Sequence, residues 1–375
     1  MDARLLNRAT LERQLLLDRQ RLDVSEAVRR VVGLQAQEPV SPYLALWNRI
    51  EGFDPADLDS AFEERHIVKA PLLRITLHAV AREDYPTFHQ AMLSTLRAAR
   101  LNDRRFRASG LSIEEADALV PGLVEFARQP RTAEEIQREL DRLHGNPLHE
   151  RVWWALKTYA PLTRAPTGGP WSFGRDLVFE AAPDDPRPER LAAIRALFTR
   201  YLAGFGPASV EDFAHFVLHR RATVREALEE GDDDEFVIRE GPDGRPLYDL
   251  AEASLPDPEA PSSVRLLGMW DNVLLAYVDR SRVIPDEYRP LVTRRNGDVL
   301  PALLVDGHVA GVWRPVEEGI EVTAFHSLDR DVWDQIEAEA QSVAAWLRER
   351  QDGVYRRYGR WWDQLPDDDV RVLSY

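Results

Sequence analysis

Helix, helix, helix, hairpin is an order of elements that recurs three times in succession along this chain. In the first stretch, apolar periodicity predicts helices over 5–20, 25–32, 42–50 and 55–65, then strands over 67–70 and 72–80. In the second, helices over 113–128, 132–140 and 151–159 lead to a hairpin over 162–167 and 171–173. Thr132 and Glu135 stand three apart ahead of an apolar run, a capping-box pair that marks where that helix starts. In the third, helices over 189–202, 209–217 and 223–229 precede strands over 235–239 and 246–250, with Ser209 and Asp212 as the cap pair and Pro242-Asp243-Gly244 as the turn.

The recurrence is one of element order and not of residues, so it does not signal a solenoid of fixed period. It predicts tandem winged-helix modules over 1–108, 109–185 and 186–255. A Pro-rich linker over 255–261 then opens a region of different texture, 256–375, with strands over 264–269, 273–277, 299–305, 309–314 and 319–325. Asn296-Gly297 and Asp306-Gly307 are tight-turn dipeptides. A last helix over 332–349 carries Val332, Ile336, Ala340, Val343, Ala344 and Leu347 on one face, and so packs across this sheet. The aromatic tail Tyr355, Tyr358, Trp361 and Trp362 docks beside it. The fold class expected is therefore α+β: three winged-helix modules, a C-terminal β-rich section and a terminal helix.

Composition narrows the chemistry. With no cysteine among 375 residues there is neither a disulfide framework nor a thiolate metal site. No run of about eighteen apolar residues occurs, and the N-terminus leads into a charged helix, so a cytoplasmic protein without a membrane partner is expected. The net charge of −16 argues on its face against a polyanionic partner. Yet the acidic excess is clumped, at 232–235 and 367–369, and nearly all positive charge is arginine, since Lys69 and Lys157 are the only lysines. GC-rich coding produces the same imbalance; arginine also suits bidentate phosphate contact. Two basic candidates stand out: Arg97, Arg100, Arg104, Arg105 and Arg107, and Arg280, Arg282, Arg289, Arg294 and Arg295. For the first group, a solvated helix face is the simpler role.

One segment places polar residues where a helix has just stopped. Val24, Ala27, Val28, Val31 and Val32 form an apolar stripe, Gly33 suits the residue after a helix end, and Pro39 holds Glu38 extended. Between them lies Leu34-Gln35-Ala36-Gln37-Glu38. If that stretch is extended, Gln35 and Gln37 point one way and Glu38 points away. Two roles are open to these amides. They could satisfy backbone groups freed at the helix end, or hold a water molecule by donating and accepting at once. An amide is no ordinary general base, so such a site suits a reaction whose leaving group is already good.

Several segments together resemble one bacterial family, the AlkZ-like winged-helix DNA glycosylases. Gly33-Leu34-Gln35-Ala36-Gln37 resembles that family's Gln-apolar-Gln motif, and Leu73-Arg74-Ile75-Thr76-Leu77-His78 its Arg-x-Thr-Leu-His strand. Trp270-Asp271-Asn272-Val273-Leu274-Leu275, Asp279-Arg280-Ser281-Arg282, Asn296-Gly297 and the run from Val305 to Trp313 are similar to later family segments, in the same order. The resemblance implies a monofunctional glycosylase that hydrolyses the N-glycosidic bond of N7-alkylated purines in double-stranded DNA. Bulky adducts and interstrand crosslinks are included. With Gln37 where other relatives carry aspartate, the pair resembles the self-resistance branch found in producers of DNA-alkylating natural products. Gln35 would then position the water and Gln37 assist. Arg74, Thr76 and His78, on the polar face of a strand, and Arg280, Arg282, Arg294 and Arg295, on extended arms, would contact DNA. Asp271 and Asn272 are expected to hold a turn.

No cofactor and no metal are expected. His215 and His219 stand four apart, but Phe216 occupies the position where a zincin needs glutamate. No phosphate-binding glycine loop or nucleophile elbow is present. A monomer is expected, and the alternative reading is a noncatalytic winged-helix DNA-binding protein or regulator.

Overall fold

In the computed structural model, which describes residues 1–231, 233–351, 353–366 and 369–374, the architecture is mixed α and β. Parts of both acidic clumps, at 232–235 and 367–369, lie outside the described residues. The cap pairs read from the sequence are in place: Thr132 with Glu135 starts the helix Ala133–His144, and Ser209 with Asp212 starts Val210–Val217. Each pair satisfies backbone N–H groups that a helix start leaves open.

Strands β1 (Leu34–Gln35), β2 (Ile67–Pro71), β3 (Leu77–Ala81), β4 (Arg131–Thr132), β5 (Leu162–Arg164) and β6 (Val178–Ala181) form one sheet in the order β1-β3-β2-β5-β6-β4. The hairpins of the first two stretches thus join edge to edge, through the pairing of Lys69 with Arg164. The third hairpin, β7 (Phe236–Glu240) with β8 (Pro246–Leu250), stands alone. Strands β9 (Arg265–Leu266), β10 (Ala302–Val305), β11 (His308–Val316), β12 (Gly319–Ala324) and β13 (Asp369–Ser374) make an antiparallel sheet, with the helix Arg330–Arg350 packed on it.

Several expectations need correction; the helix expected over 5–20 ends at Arg13, and the strand expected over 264–269 is only Arg265–Leu266. The strand expected over 72–80 begins only at Leu77, because Leu73–Ile75 forms a 3-10 turn with Arg74 and Ile75 at φ of 52° and 60°. The partner of β5 is Val178–Ala181 and not 171–173. Trp171 and Phe173 instead anchor the loop, against Tyr43 and Trp346, and against Phe62. Residues 273–277 do not form a strand; Asn272–Leu274 is a 3-10 turn capped by Asp271. Arg280–Arg282 is likewise a 3-10 turn and not an extended arm.

Two buried apolar clusters fill the interior. One joins Leu16, Val31, Leu34 and Leu44 of the N-terminal stretch to Leu266, Leu303, Trp313 and Trp362 of the C-terminal section. The other joins Val32, Leu73 and Val80 to Leu123, Leu156, Phe198 and Phe213. Val31 and Val32 fall in different clusters, so the chain crosses from one core to the other just before Gln35. Among the described residues no helix is long and apolar enough to cross a membrane.

Candidate active site

The helix Val24–Arg30 starts at Asp23, whose side chain accepts from the Glu26 N–H, and is closed by Gly33 N–H donating to Val28. Val32 and Gly33 turn the chain with φ of 66° and 101°. A left-handed conformation is unusual for a β-branched residue. Arg74, Ile75 and Trp270 also have positive φ. Strained backbone of this kind gathers at functional sites, and here it surrounds one short strand.

That strand, β1, pairs Leu34 with Ala79 and Gln35 with His78 on β3. Gln35 is 5% exposed, and its Oε1 accepts the Gln37 backbone N–H at 3.1 Å. Nε2 of Gln35 has no protein partner among the described residues. Gln37 is exposed. The expected common orientation is therefore corrected: β1 ends at Gln35, the chain turns, and Gln35 lines a narrow cleft while Gln37 is exposed and does not line it. The cleft is also bordered by Gly33, Ser41, Arg49, Asp271 and Asn272, and has room for about one water molecule. Glu38, expected to point away from the glutamines, binds the C-terminal segment through Tyr358 Oη at 2.9 Å and through Arg357.

The floor of the cleft is a polar cluster that joins distant parts of the chain. Asp271 and Arg49, each with a side chain 1% exposed, meet at 2.8 and 2.9 Å. Asn272 donates from Nδ2 to the Gly33 carbonyl at 2.9 Å and accepts from Arg74 Nη2 at 2.6 Å. One amide thus ties the glutamine loop to the Arg74 turn. Asn272 and Asp271 do more than cap a turn, which the Asp-Asn dipeptide alone did not show.

His78 is fully buried beside Gln35, its Nδ1 3.1 Å from the Thr76 carbonyl. Burial, reinforced by the Arg74 charge, pushes its pKa down to about 3, so the ring is neutral at ordinary pH. Its Nε2 has no well-aligned partner, although the Asn272 amide lies close enough to favour the protonated form. Arg74 sits 4.8 Å from the Phe216 ring, and burial, then the nearby Arg280 guanidinium, lower its pKa. Thr76 binds the Leu73 carbonyl and shapes the turn.

The remaining arginines separate into two places. Arg280 is half-buried against Thr293, and Arg282 turns inward to the Pro207 carbonyl and over the Tyr277 ring at 4.1 Å. Arg294 binds the Trp361 carbonyl, and Arg295 is exposed. In the other cluster, Arg97 pairs with Asp117, Arg105 with Asp103, and Arg100 and Arg105 stack on Trp154. Lys69 lies over Phe173 at 4.3 Å, and burial, with Arg164 opposite, lowers its pKa to about 7. It aligns across the sheet with Ala79 and Leu34, one residue out of step with Gln35, and so faces the other side. Both ring nitrogens of His219 are engaged, by Thr95 and the Ala91 carbonyl.

The comparisons agree with this architecture. A family model described as DNA glycosylase AlkZ-like matches residues 28–346. An interstrand DNA cross-link repair glycosylase from Streptomyces sahachiroi is 27% identical over 370 residues, which cover 92% of this chain and 95% of that protein. The solved structure of the Streptomyces sahachiroi DNA glycosylase AlkZ matches with a TM-score of 0.78 at 24% identity, covering 92% of this chain and 96% of the other. At that identity the structural match speaks for the fold.

Proposed function

This chain belongs to the AlkZ-like DNA glycosylase family, and from that premise we propose that it hydrolyses the N-glycosidic bond of N7-alkylated purines in duplex DNA. Bulky adducts and interstrand crosslinks left by DNA-alkylating natural products are the substrates we assign, in base excision repair or self-resistance. The cross-link repair glycosylase to which the chain is similar supports the crosslink part of this reading. We also read residues 1–108, 109–185 and 186–255 as winged-helix modules, 256–375 as the section that closes the site, and the protein as a monomer in the cytoplasm.

The observation that carries the reading is Gln35: a buried amide whose Nε2 has no protein partner among the described residues, in a cleft that holds about one water. An N7-alkylated purine is already cationic, so the C1′–N9 bond breaks with its electron pair passing to a base that leaves neutral. No general acid is required. Water adds its oxygen to C1′ of the oxocarbenium-like sugar and gives up one proton to solvent. Gln35 donates to and accepts from that water, and Gln37, two residues on, assists. Asn272 holds Arg74, and His78 pairs with Gln35 across the strands, with Thr76 fixing the turn; Arg74, Thr76, His78, Arg280, Arg282, Arg294 and Arg295 remain our candidates for the DNA side of the site. Since Lys69 faces the other side of the sheet, water and not an amine is the nucleophile.

Release of free base from duplexes carrying small and bulky N7-alkylguanines tests this. Gln35→Ala is expected to slow single-turnover excision by about 100-fold, in the range for losing one preorganised hydrogen-bonding group, with Gln37→Ala slowed less. Excision by Gln35→Ala at the wild-type rate would overturn the role of the glutamine. Covalent trapping with borohydride should fail.

A further inference from the structure

After residue 346, where the family match ends, the chain returns to the glutamine loop. The helix Arg330–Arg350 is followed by a 3-10 helix, Arg356–Gln364. Its inner residues are held firmly. Tyr355 Oη accepts the Met269 N–H at 3.0 Å, Tyr358 is buried against Trp270, and Trp362 is in the core. On its outer side Arg356, Arg357 and Arg360 are exposed. In a 3-10 helix, side chains three apart eclipse, so Arg357 and Arg360 share one edge, which ends at exposed Asp363.

Arg357 reaches Glu38, the residue directly after Gln37. The Glu38 side chain is 13% exposed and the Arg357 side chain 66% exposed, so the acidic partner lies beneath and the basic one faces solvent. Arg360 stacks on Trp361 at 4.7 Å, and Arg294 approaches the same ring at 5.4 Å from the neighbouring turn. Trp361 is fixed between them by Nε1 donating to Asp298 at 2.8 Å. The edge therefore continues into Arg294 and exposed Arg295. Between 353 and 366 there are three arginines and one acidic residue, Asp363. In a chain of net charge −16, a run of exposed arginines beside the active cleft stands against the overall acidic balance.

We propose that this edge, Arg357 and Arg360 continuous with Arg294 and Arg295, binds the phosphate backbone of duplex DNA next to the glutamine loop. The inference rests on the glycosylase reading for the identity of the polyanion. Arginine forks are suited to phosphate oxygens, and such contacts set the register of a protein on DNA without reading sequence. Because Arg357 is tied to Glu38, a phosphate it holds is fixed relative to Gln37.

The test measures the affinity of the full-length protein for an undamaged duplex as a function of salt. Each lost phosphate contact lowers the slope of log K against log salt by about 0.9. The double variant Arg357→Gln with Arg360→Gln should therefore lose about 2 from the slope, and the wild-type drop in affinity between 50 and 200 mM salt should shrink by about tenfold. Arg357→Lys with Arg360→Lys should restore most of the slope. An unchanged slope in the glutamine variant overturns the proposal. So does equal loss in the lysine variant, which would mean that packing on Glu38 and Trp361, and not charge toward phosphate, was removed. Binding is read without catalysis, so a wild type that binds DNA but releases no base would sink the proposed function and leave this surface standing.

Discussion

His78 shows how one residue's surroundings become a measurable property. Its native pKa is about 3, against 6.5 for an unperturbed imidazole, because burial and then the Arg74 charge oppose protonation. Below pH 6.5 the unfolded chain takes up a proton that the native state refuses. The contribution of His78 to stability is thus complete above pH 6.5 and is lost progressively as pH falls toward 3. At pH 5 the loss is about 2 kcal/mol, from 1.36 kcal/mol per pH unit. His89, held near 4 by burial and then Arg187, adds a loss of the same sign. Urea unfolding at pH 5 and pH 8 should show a difference smaller by about 2 kcal/mol in His78→Gln than in the wild type; equal differences would mean that the native ring takes up its proton. Gln35 was legible in the sequence, because a helix stop followed by an amide is a local pattern. Its companions were not. Asn272 reaches Gly33 from 239 positions away and Asp271 reaches Arg49 from 222, and no local periodicity encodes such a meeting.

Among elements, the turn at Val32-Gly33 decides where Gln35 ends up. Gly33 has φ of 101°, and a Cβ there would lie 2.8 Å from Val80 Cγ1 and 3.1 Å from the Ala79 carbonyl. Alanine would meet both a strained conformation and β3, to which β1 must pair. Gly33→Ala should cost more than about 1 kcal/mol, beyond the gain that a compatible Gly→Ala change brings. It should also slow excision, because relief of the clash moves the Gln35–His78 pairing. Thermal unfolding and single-turnover excision check the two effects; an unchanged melting temperature would mean that β3 gives way freely. Elements with strong local punctuation matched the sequence reading, as with the capping boxes at Thr132 and Ser209 and the strand Pro246–Leu250. Elements set by distant packing did not. The polar-apolar alternation of Arg74 to His78 looks like a strand, but Arg74 turns onto Phe216 and Asn272. Trp171 and Phe173, read as strand residues, are claimed by aromatic contacts with two distant helices.

For the whole molecule, the interlock between the two ends of the chain decides which fragments can fold. Periodicity separates 256–375 from what precedes it, but the first buried cluster spans both. Asn48 donates to the Leu266 carbonyl, Asn7 to those of Arg282 and Gly307, Ser41 to that of Met269, and Arg49 holds Asp271. Gly268 and Gly307 are packed so closely that an added Cβ would touch Leu44 and Leu11. Removing 256–375 would uncover Leu11, Leu16, Leu44 and Leu46 and leave Arg49 without its carboxylate. Exposing four such side chains costs about 6–12 kcal/mol at 1.5–3 kcal/mol each, comparable with the whole stability of a typical domain, about 5–15 kcal/mol. A chain of residues 1–255 should therefore lack cooperative thermal unfolding and give a poorly dispersed amide NMR spectrum. Its second cluster, centred on Phe198 and Phe213, lies mostly within the fragment, so helical signal in the far ultraviolet should persist while the glutamine loop is lost. A fragment that melts cooperatively near the full-length temperature, with Gln35 still protected, would show instead that the first stretch completes its own core and that the C-terminal section is an attachment to it.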